Sequence, residues 1–496
     1  MHSPYNPTRW AHLIPNIHSI LNEMEQVPIL SVGITPYTRI IPSFFLKNYS
    51  IYTIKRSADV DVMEKALKMY VLEDKHPDIA KRVHGTGYLI GNHVFQSFIK
   101  SRVPAVKLMF YTMTEKIMQD LDRLGIPWIG NNPVTFEDVM LKGSFRELVK
   151  ELGLPSLPAA TYARDDFFEL TFDIVSNTLG GSFVVQRADK EVGGNEGTFF
   201  IHDAADFRRC LKALSADKTF ARVIATRFIE GWSTSMLGCV MPEGVLTGPL
   251  QLQLIDVPQA LHGVAPNGIF FGNDIGFHPW SDETEAMAQK IVEGLGEHLR
   301  ANGYKGIFGI DMLYDTKTGE IYPNECNPRF TGSLVLYSLM CLQNEVPPME
   351  FFHLMAHLGI SSAGLDFEKI NSALKQRTAC SHIAFSPKGI TTLQLPLPAG
   401  VYRYDKNNSE EPLSYIGPGI SLADLKNEND FMLIDTVPSL GGSIEQNVPR
   451  LFKFIFPRSI AKSSYEIDET AGYLVERFAH TLLEAVENKK PDQSTA

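Results

Sequence analysis

The sequence predicts an α/β protein that turns α+β in its central part, with an open α/β domain at the N-terminal end and a mixed, strand-rich domain at the C-terminal end. Three observations carry this. Short apolar runs alternate with helix-period segments over the first ~135 residues; a β-branched strand enters a polar, Gly-rich loop after Gln186; and two apolar strands flank a polar turn between Gly306 and Arg329. A chain of 496 residues exceeds one typical core, so three domains are expected, at 1–135, 136–340 and 341–496.

In order, Val27 to Ile34 reads as a buried strand ending at a turn on Gly33, and Tyr49 to Ile54 as a second strand. Asp61 to Glu73 has helical spacing. Lys116 to Leu124 reads as a helix and Gly125 to Gly130 as a short strand, which makes the first domain an open α/β unit. The lone Gly33 lacks the spacing of a dinucleotide fingerprint. From Pro133 the pattern changes. Phe136 to Leu152 is helical and is stopped by Gly153-Leu-Pro155, and Ser182 to Gln186 is a strand. Met287, Ile291, Leu295 and Leu299 form one stripe of a helix that Gly303 can end as a left-handed cap. Beyond Met340 come further strands, Gly/Pro-rich turns and a last helix near Ala471 to Val486.

Composition narrows the function classes. With 44% hydrophobic and 21% charged residues the chain resembles a globular protein rather than a disordered one. A formal net charge of -11 without a Lys/Arg cluster argues against a nucleic-acid partner. The five cysteines form no CxxC pair and read as reduced thiols. No run of about eighteen apolar residues and no signal-like leader is present, so no membrane partner and a cytoplasmic location are expected.

The segment Gly306 to Arg329 carries the chemistry. It reads as a β-hairpin in which Glu325 and Asn327 share one face of the second strand. A symmetric register pairing Asp315 with Ile321 sets Asp311 opposite Glu325. Two carboxylates and an amide oxygen are hard ligands suited to Mg²⁺, with Mn²⁺ as an alternative. Opposed like charges destabilise an empty hairpin, so a cation is a physical reason for them. An ordinary solvated sheet face is the competing reading, and Cys326 with the aliphatic residues around Asp311 fits it poorly. Pro328-Arg329 adds a pre-set turn and a planar cation able to hold phosphate or carboxylate.

Asn324-Glu-Cys-Asn-Pro-Arg329, after the Gly-Ile-Asp311 strand, resembles the metal-binding signature of the ATP-grasp superfamily. The resemblance implies an ATP-grasp fold in two lobes over 136–340. It also implies that Asp311, Glu325 and Asn327 hold Mg²⁺ ions bridging ATP phosphates, with Arg329 stabilising the transferred phosphate. The loop Asp189 to Thr198, with Gly193, Gly194 and Gly197, is similar to the family's phosphate loop, although a flexible hairpin tip would look the same. Arg227-Phe228-Ile229-Glu230, before Gly231, resembles the hinge whose backbone binds adenine. Lys142 resembles the first ATP-contacting lysine, although a solvated helix lysine would look the same.

Two positions depart from the family pattern. Gln186 stands where a lysine is usual; as a cofactor-binding residue it can hydrogen-bond adenine or phosphate but supplies no charge, so either Arg187 or Lys190 takes over the charge or nucleotide affinity is weaker. Ser233 stands where an acidic ribose ligand is usual, leaving Glu230 as a substitute. The function the resemblance implies is an ATP- and Mg²⁺-dependent carboxylate-amine ligase releasing ADP and phosphate. Its partners would be a small-molecule carboxylate and an amine, and a homodimer is allowed. A carboxylase or a ligase with a non-amine acceptor is the rival, and a nucleotide-binding regulatory protein that lost catalysis is a second.

Overall fold

The computed structural model describes residues 4–189, 197–217, 219–261, 267–385, 397–408, 412–438 and 452–487. The first unit is a parallel sheet of β1 (Ile29–Gly33), β2 (Tyr49–Thr53), β3 (Lys68–Val71), β4 (Lys107–Phe110) and β5 (Trp128–Ile129), ordered β3-β2-β1-β4-β5. β1 is buried along its whole length, as a central parallel strand covered on both faces must be. Strand order reverses between β1 and β4, which leaves a crevice beyond their carboxyl ends. Helix α1 (Glu115–Leu124) is capped by the Thr114 hydroxyl and closed by Gly125 at φ 63°.

The helical spacing of Asp61 to Glu73 is only partly realised. A helix covers Ala58–Met63, but Lys68–Val71 is β3, because pairing such as Tyr52 with Tyr70 outweighs the local period. The expected helix over Phe136 to Leu152 is also broken. Leu141 is extended at ψ 125°, so α2 starts afresh and spans Lys142–Glu151.

The central part opens with a four-stranded antiparallel sheet of β6 (Ala159–Ala163), β7 (Phe183–Arg187), β8 (Phe199–Ile201) and β9 (Arg222–Arg227), ordered β6-β9-β7-β8. Its own core is built on Phe167, Phe183 and Phe207. The chain then passes into an 11-stranded sheet. This sheet begins with β10 (Gly231–Met241), β11 (Gly244–Thr247), β12 (Gln251–Ile255) and β13 (Phe270–Asp274). The long helix α3 (Asp282–Ala301) realises the expected stripe from Ile291 on, with Ile291, Leu295 and Leu299 buried and Gly303 at φ 83° just beyond it, whereas Met287, in the first half of the helix, is exposed. The hairpin of β14 (Gly306–Asp315) and β15 (Ile321–Asn327) completes this half.

Strands β16 (Ser381–Phe385), β17 (Gly400–Tyr404), β18 (Leu413–Gly417), β19 (Asp430–Ile434) and β20 (Phe452–Phe456) extend the same sheet, joined where β13 pairs with β16. One hydrophobic core runs from Trp10 to Phe478. The described strands beyond Met340 reach this sheet through the edge of β13, and helix α4 (Met349–Leu358) packs Phe351 against Trp10. The last helix, Glu469–Glu487, lies where the sequence places it. Among the described residues no helix is long and apolar enough to cross a membrane.

Candidate active site

The hairpin brings Asp311 opposite Glu325, but by a different route from the symmetric register. Tyr314, not Asp315, faces Ile321, and the register shifts by one between Met312/Pro323 and Asp311/Glu325. The extra residue is Asn324, a β-bulge that turns Glu325 back into line. Arg146, buried on α2, holds that bulge: its guanidinium donates to the Pro323 carbonyl and, at 2.6 Å, to Asn324 Oδ1. Without the bulge, period two would send Glu325 to the other face.

Around the carboxylates the donors converge. Asn327 Nδ2 donates to one oxygen of Asp311 at 3.0 Å and Gln253 Nε2, from β12, to the other at 2.8 Å. Lys142 Nζ donates to Glu325 Oε2 at 2.8 Å. The break at Leu141 explains this reach, since it places Lys142 at the start of α2, whose Gly143 N–H is seated on the Ala188 carbonyl at the end of β7. Burial first, and then the facing Glu325 carboxylate, raise the pKa of Asp311, while Arg329, Gln253 and Asn327 act the other way.

Among the described residues no three His, Cys, Asp or Glu side chains converge as a metal cage. Two carboxylates and an amide oxygen suit Mg²⁺, which takes one or two carboxylates and completes its shell with phosphate oxygens and water. Glu325 faces Asp311 and, after burial, raises its pKa, a repulsion that a bound cation would offset. The residues present fit the ion.

Arg329 follows a tight turn in which its own N–H donates to the Asn327 carbonyl at 2.7 Å. Its Nη1 donates to the Phe330 carbonyl at 3.0 Å, and among the described residues it forms no ion pair. Arg329 lines a cavity of about 370 Å³ that lies beyond the carboxyl ends of β4 and β5.

At the hinge, the N–H groups of Arg227 and Phe228 donate to the Pro158 and Ser182 carbonyls, and the Glu230 carbonyl accepts from Thr316. Ile229 is left as the hinge residue with no backbone hydrogen bond among the described residues, which suits an adenine edge. Gly231 is required by close approach, since a Cβ there would sit 2.0 Å from the Tyr314 carbonyl oxygen. The Glu230 carboxylate is exposed and ion-paired to Lys317 on the hairpin turn, away from a ribose role.

Gly197 lies within the structure at φ 82°, whereas Gly193, Gly194 and Lys190 lie outside the described residues. Gln186 Nε2 donates to Thr198 Oγ1 at 3.0 Å, tying β7 to the far side of that loop. Arg187 is already engaged within its own lobe. Its guanidinium is paired with Asp217 at 2.6 Å and rests over Phe220. Sequence reasoning missed Arg146 and Gln253, and only Arg146 left a signal, an arginine on the apolar side of a helix.

No protein-family model matches the chain. It is 28% identical over 186 residues to the [butirosin acyl-carrier protein]–L-glutamate ligase of Niallia circulans, covering 37% of this chain and 41% of that protein. It is 31% identical over 259 residues to the formate-dependent phosphoribosylglycinamide formyltransferase of Methanocella arvoryzae, covering 49% of this chain and 48% of the relative. The chain thus spans about half the length, or less, of these curated relatives. Among solved structures, the biotin carboxylase domain of Hydrogenobacter thermophilus 2-oxoglutarate carboxylase, in complex with MgADP, ADP and bicarbonate, superimposes with a TM-score of 0.61. That likeness extends over 92% of this chain and 94% of the other at 13% identity.

Proposed function

We propose, from the ATP-grasp fold that this chain has, that it is an ATP- and Mg²⁺-dependent ligase that activates a small-molecule carboxylate as an acyl phosphate and joins it to an amine, releasing ADP and phosphate. The observation that carries this reading is the convergence of Asp311, Glu325 and Asn327 with Lys142 on the hairpin, beside Arg329. Asp311, Glu325 and Asn327 would hold Mg²⁺, which when bound neutralises phosphate charge. Lys142 would exchange its Glu325 partner for a phosphate oxygen. Arg329, free of any ion pair among the described residues, orients the incoming carboxylate and stabilises charge on the transferring phosphoryl group. The hinge at Ile229 receives adenine. The two curated relatives support the amine acceptor, one by its name as a glutamate ligase and the other as a glycinamide formyltransferase. A cytoplasmic location accords with five buried, unpaired cysteines.

The test is an ADP-release screen over carboxylic acids and amines with Mg²⁺. Release that requires both an acid and an amine is expected, and release with acid and bicarbonate alone would favour the carboxylase reading. The engagement of Gln186 and Arg187 favours a second reading, nucleotide binding without catalysis. Tight Mg-ATP binding with no release from any pair would establish that one instead.

A further inference from the structure

The cavity beside Arg329 has a composition that the phosphate chemistry does not need. At about 370 Å³ it is far too large for a one-carbon acid and within the range of small-molecule sites. Its lining includes the buried aromatic residues Phe110, Phe136, Tyr304 and Phe330 with His353 beside Phe330, and Asn131 and Asn132 add polar groups. The carboxylates that line it, Glu115, Glu137 and Asp189, are all exposed, so they sit at the rim and repel an anion there. Among the described residues Arg329 is the cation that lines it, two residues from Asn327.

His353 is positioned with unusual care for a wall residue. Its Nδ1 accepts the Ile307 N–H at 3.2 Å, so the neutral ring carries its proton on Nε2 as a donor. Burial, and then the neighbouring His357, hold its pKa well below the usual histidine range. Gly306, at φ 81°, leaves room for the ring, since a Cβ there would lie 2.1 Å from Nδ1.

We propose that this cavity binds the acyl substrate and that the substrate is a carboxylic acid with an aromatic or branched apolar body. The carboxylate lies at Arg329, the body lies against the aromatic wall, and the His353 Nε2–H reads a polar substituent on the body. This rests on the ligase reading for the role of the acid, but the binding site itself is tested without turnover.

Isothermal titration of the full chain, with Mg²⁺ and a non-hydrolysable ATP analogue present, is made with 3-phenylpropionate and its uncharged isostere 3-phenylpropanamide. The acid should bind about tenfold or more tighter than the amide. Val134→Trp, at a half-exposed position on the cavity wall, should weaken the acid about tenfold or more while melting temperature and analogue affinity stay unchanged. His353→Phe should abolish any preference for 3-(4-hydroxyphenyl)propionate over 3-phenylpropionate, and the Val134 variant stands as the test where that protein does not fold. No acid binding, an amide that binds as well as the acid, or an acid affinity untouched by Val134→Trp would overturn the assignment. Acid binding without ADP release from any acid–amine pair would leave the site standing and overturn the ligase reading instead.

Discussion

Replacing Arg146 with methionine removes the clamp on the bulge while keeping an unbranched chain of similar length in the same buried place. Two charge-assisted hydrogen bonds are lost, to the Pro323 carbonyl and to Asn324, each worth about 1.5–3 kcal/mol. The loss is offset because the guanidinium is costly to bury, as its pKa, pushed down to about 10 by desolvation, shows. That relief is on the order of 3 kcal/mol, so the net destabilisation is roughly 0–3 kcal/mol, a melting shift of a few degrees. Catalysis should suffer far more. A bulge free to slip by one residue carries Glu325 to the opposite face and away from Asp311. Thermal melting and ADP release titrated with Mg²⁺ on the same sample separate the effects. Turnover should fall about a hundredfold, with a higher Mg²⁺ requirement, in protein that is still folded. Near-normal turnover at ordinary Mg²⁺ would refute the view that the bulge sets the register of the site.

Arg329→Lys should retain nucleotide binding and lose about a hundredfold to a thousandfold in turnover, because a point charge cannot reproduce the planar fork; measuring melting temperature, ATP affinity and turnover together separates this from a structural role, which would lower stability alone. Asp59 makes a pH prediction. It is fully buried, accepts the Val437 N–H at 3.0 Å, and has its pKa pushed up to about 6, by burial first and then by Asp435. A raised carboxylate pKa means that stability is fully present below about pH 4 and is lost as pH rises through about 6, by on the order of 3 kcal/mol. Asp59→Asn should remove that slope from a melting-temperature profile between pH 4 and 7, and an unchanged slope would assign it elsewhere.

The parts of the fold legible in the sequence were those fixed by strong local patterns. The stripe from Ile291 to Leu299, the helix ending at Leu124 and the two apolar strands around Thr316-Lys-Thr-Gly319 each carry their own period or turn chemistry. What was not legible depended on pairing between distant segments. Lys68–Val71 becomes a strand because β2 offers an edge, and the C-terminal strands join the sheet at β13. At the site, alternation placed Glu325 and Asn327 correctly, yet the Asp311–Glu325 pairing survives only because one bulge compensates a one-residue error in the turn. Gln253 could not be read at all, since nothing local distinguishes it from any polar residue on a strand. Its meaning comes from the antiparallel neighbour that delivers it to Asp311.

The central claim is that Glu325 belongs to a metal–phosphate site and not to the scaffold, and Glu325→Ala with titration of Mg²⁺ tests it most directly. Removing Glu325 relieves its repulsion of Asp311 but costs the ion pair with Lys142, and with the two opposed the melting temperature should change little. Mg²⁺-dependent ADP release should be abolished in that folded protein, whereas full ADP release at ordinary Mg²⁺ would contradict the account.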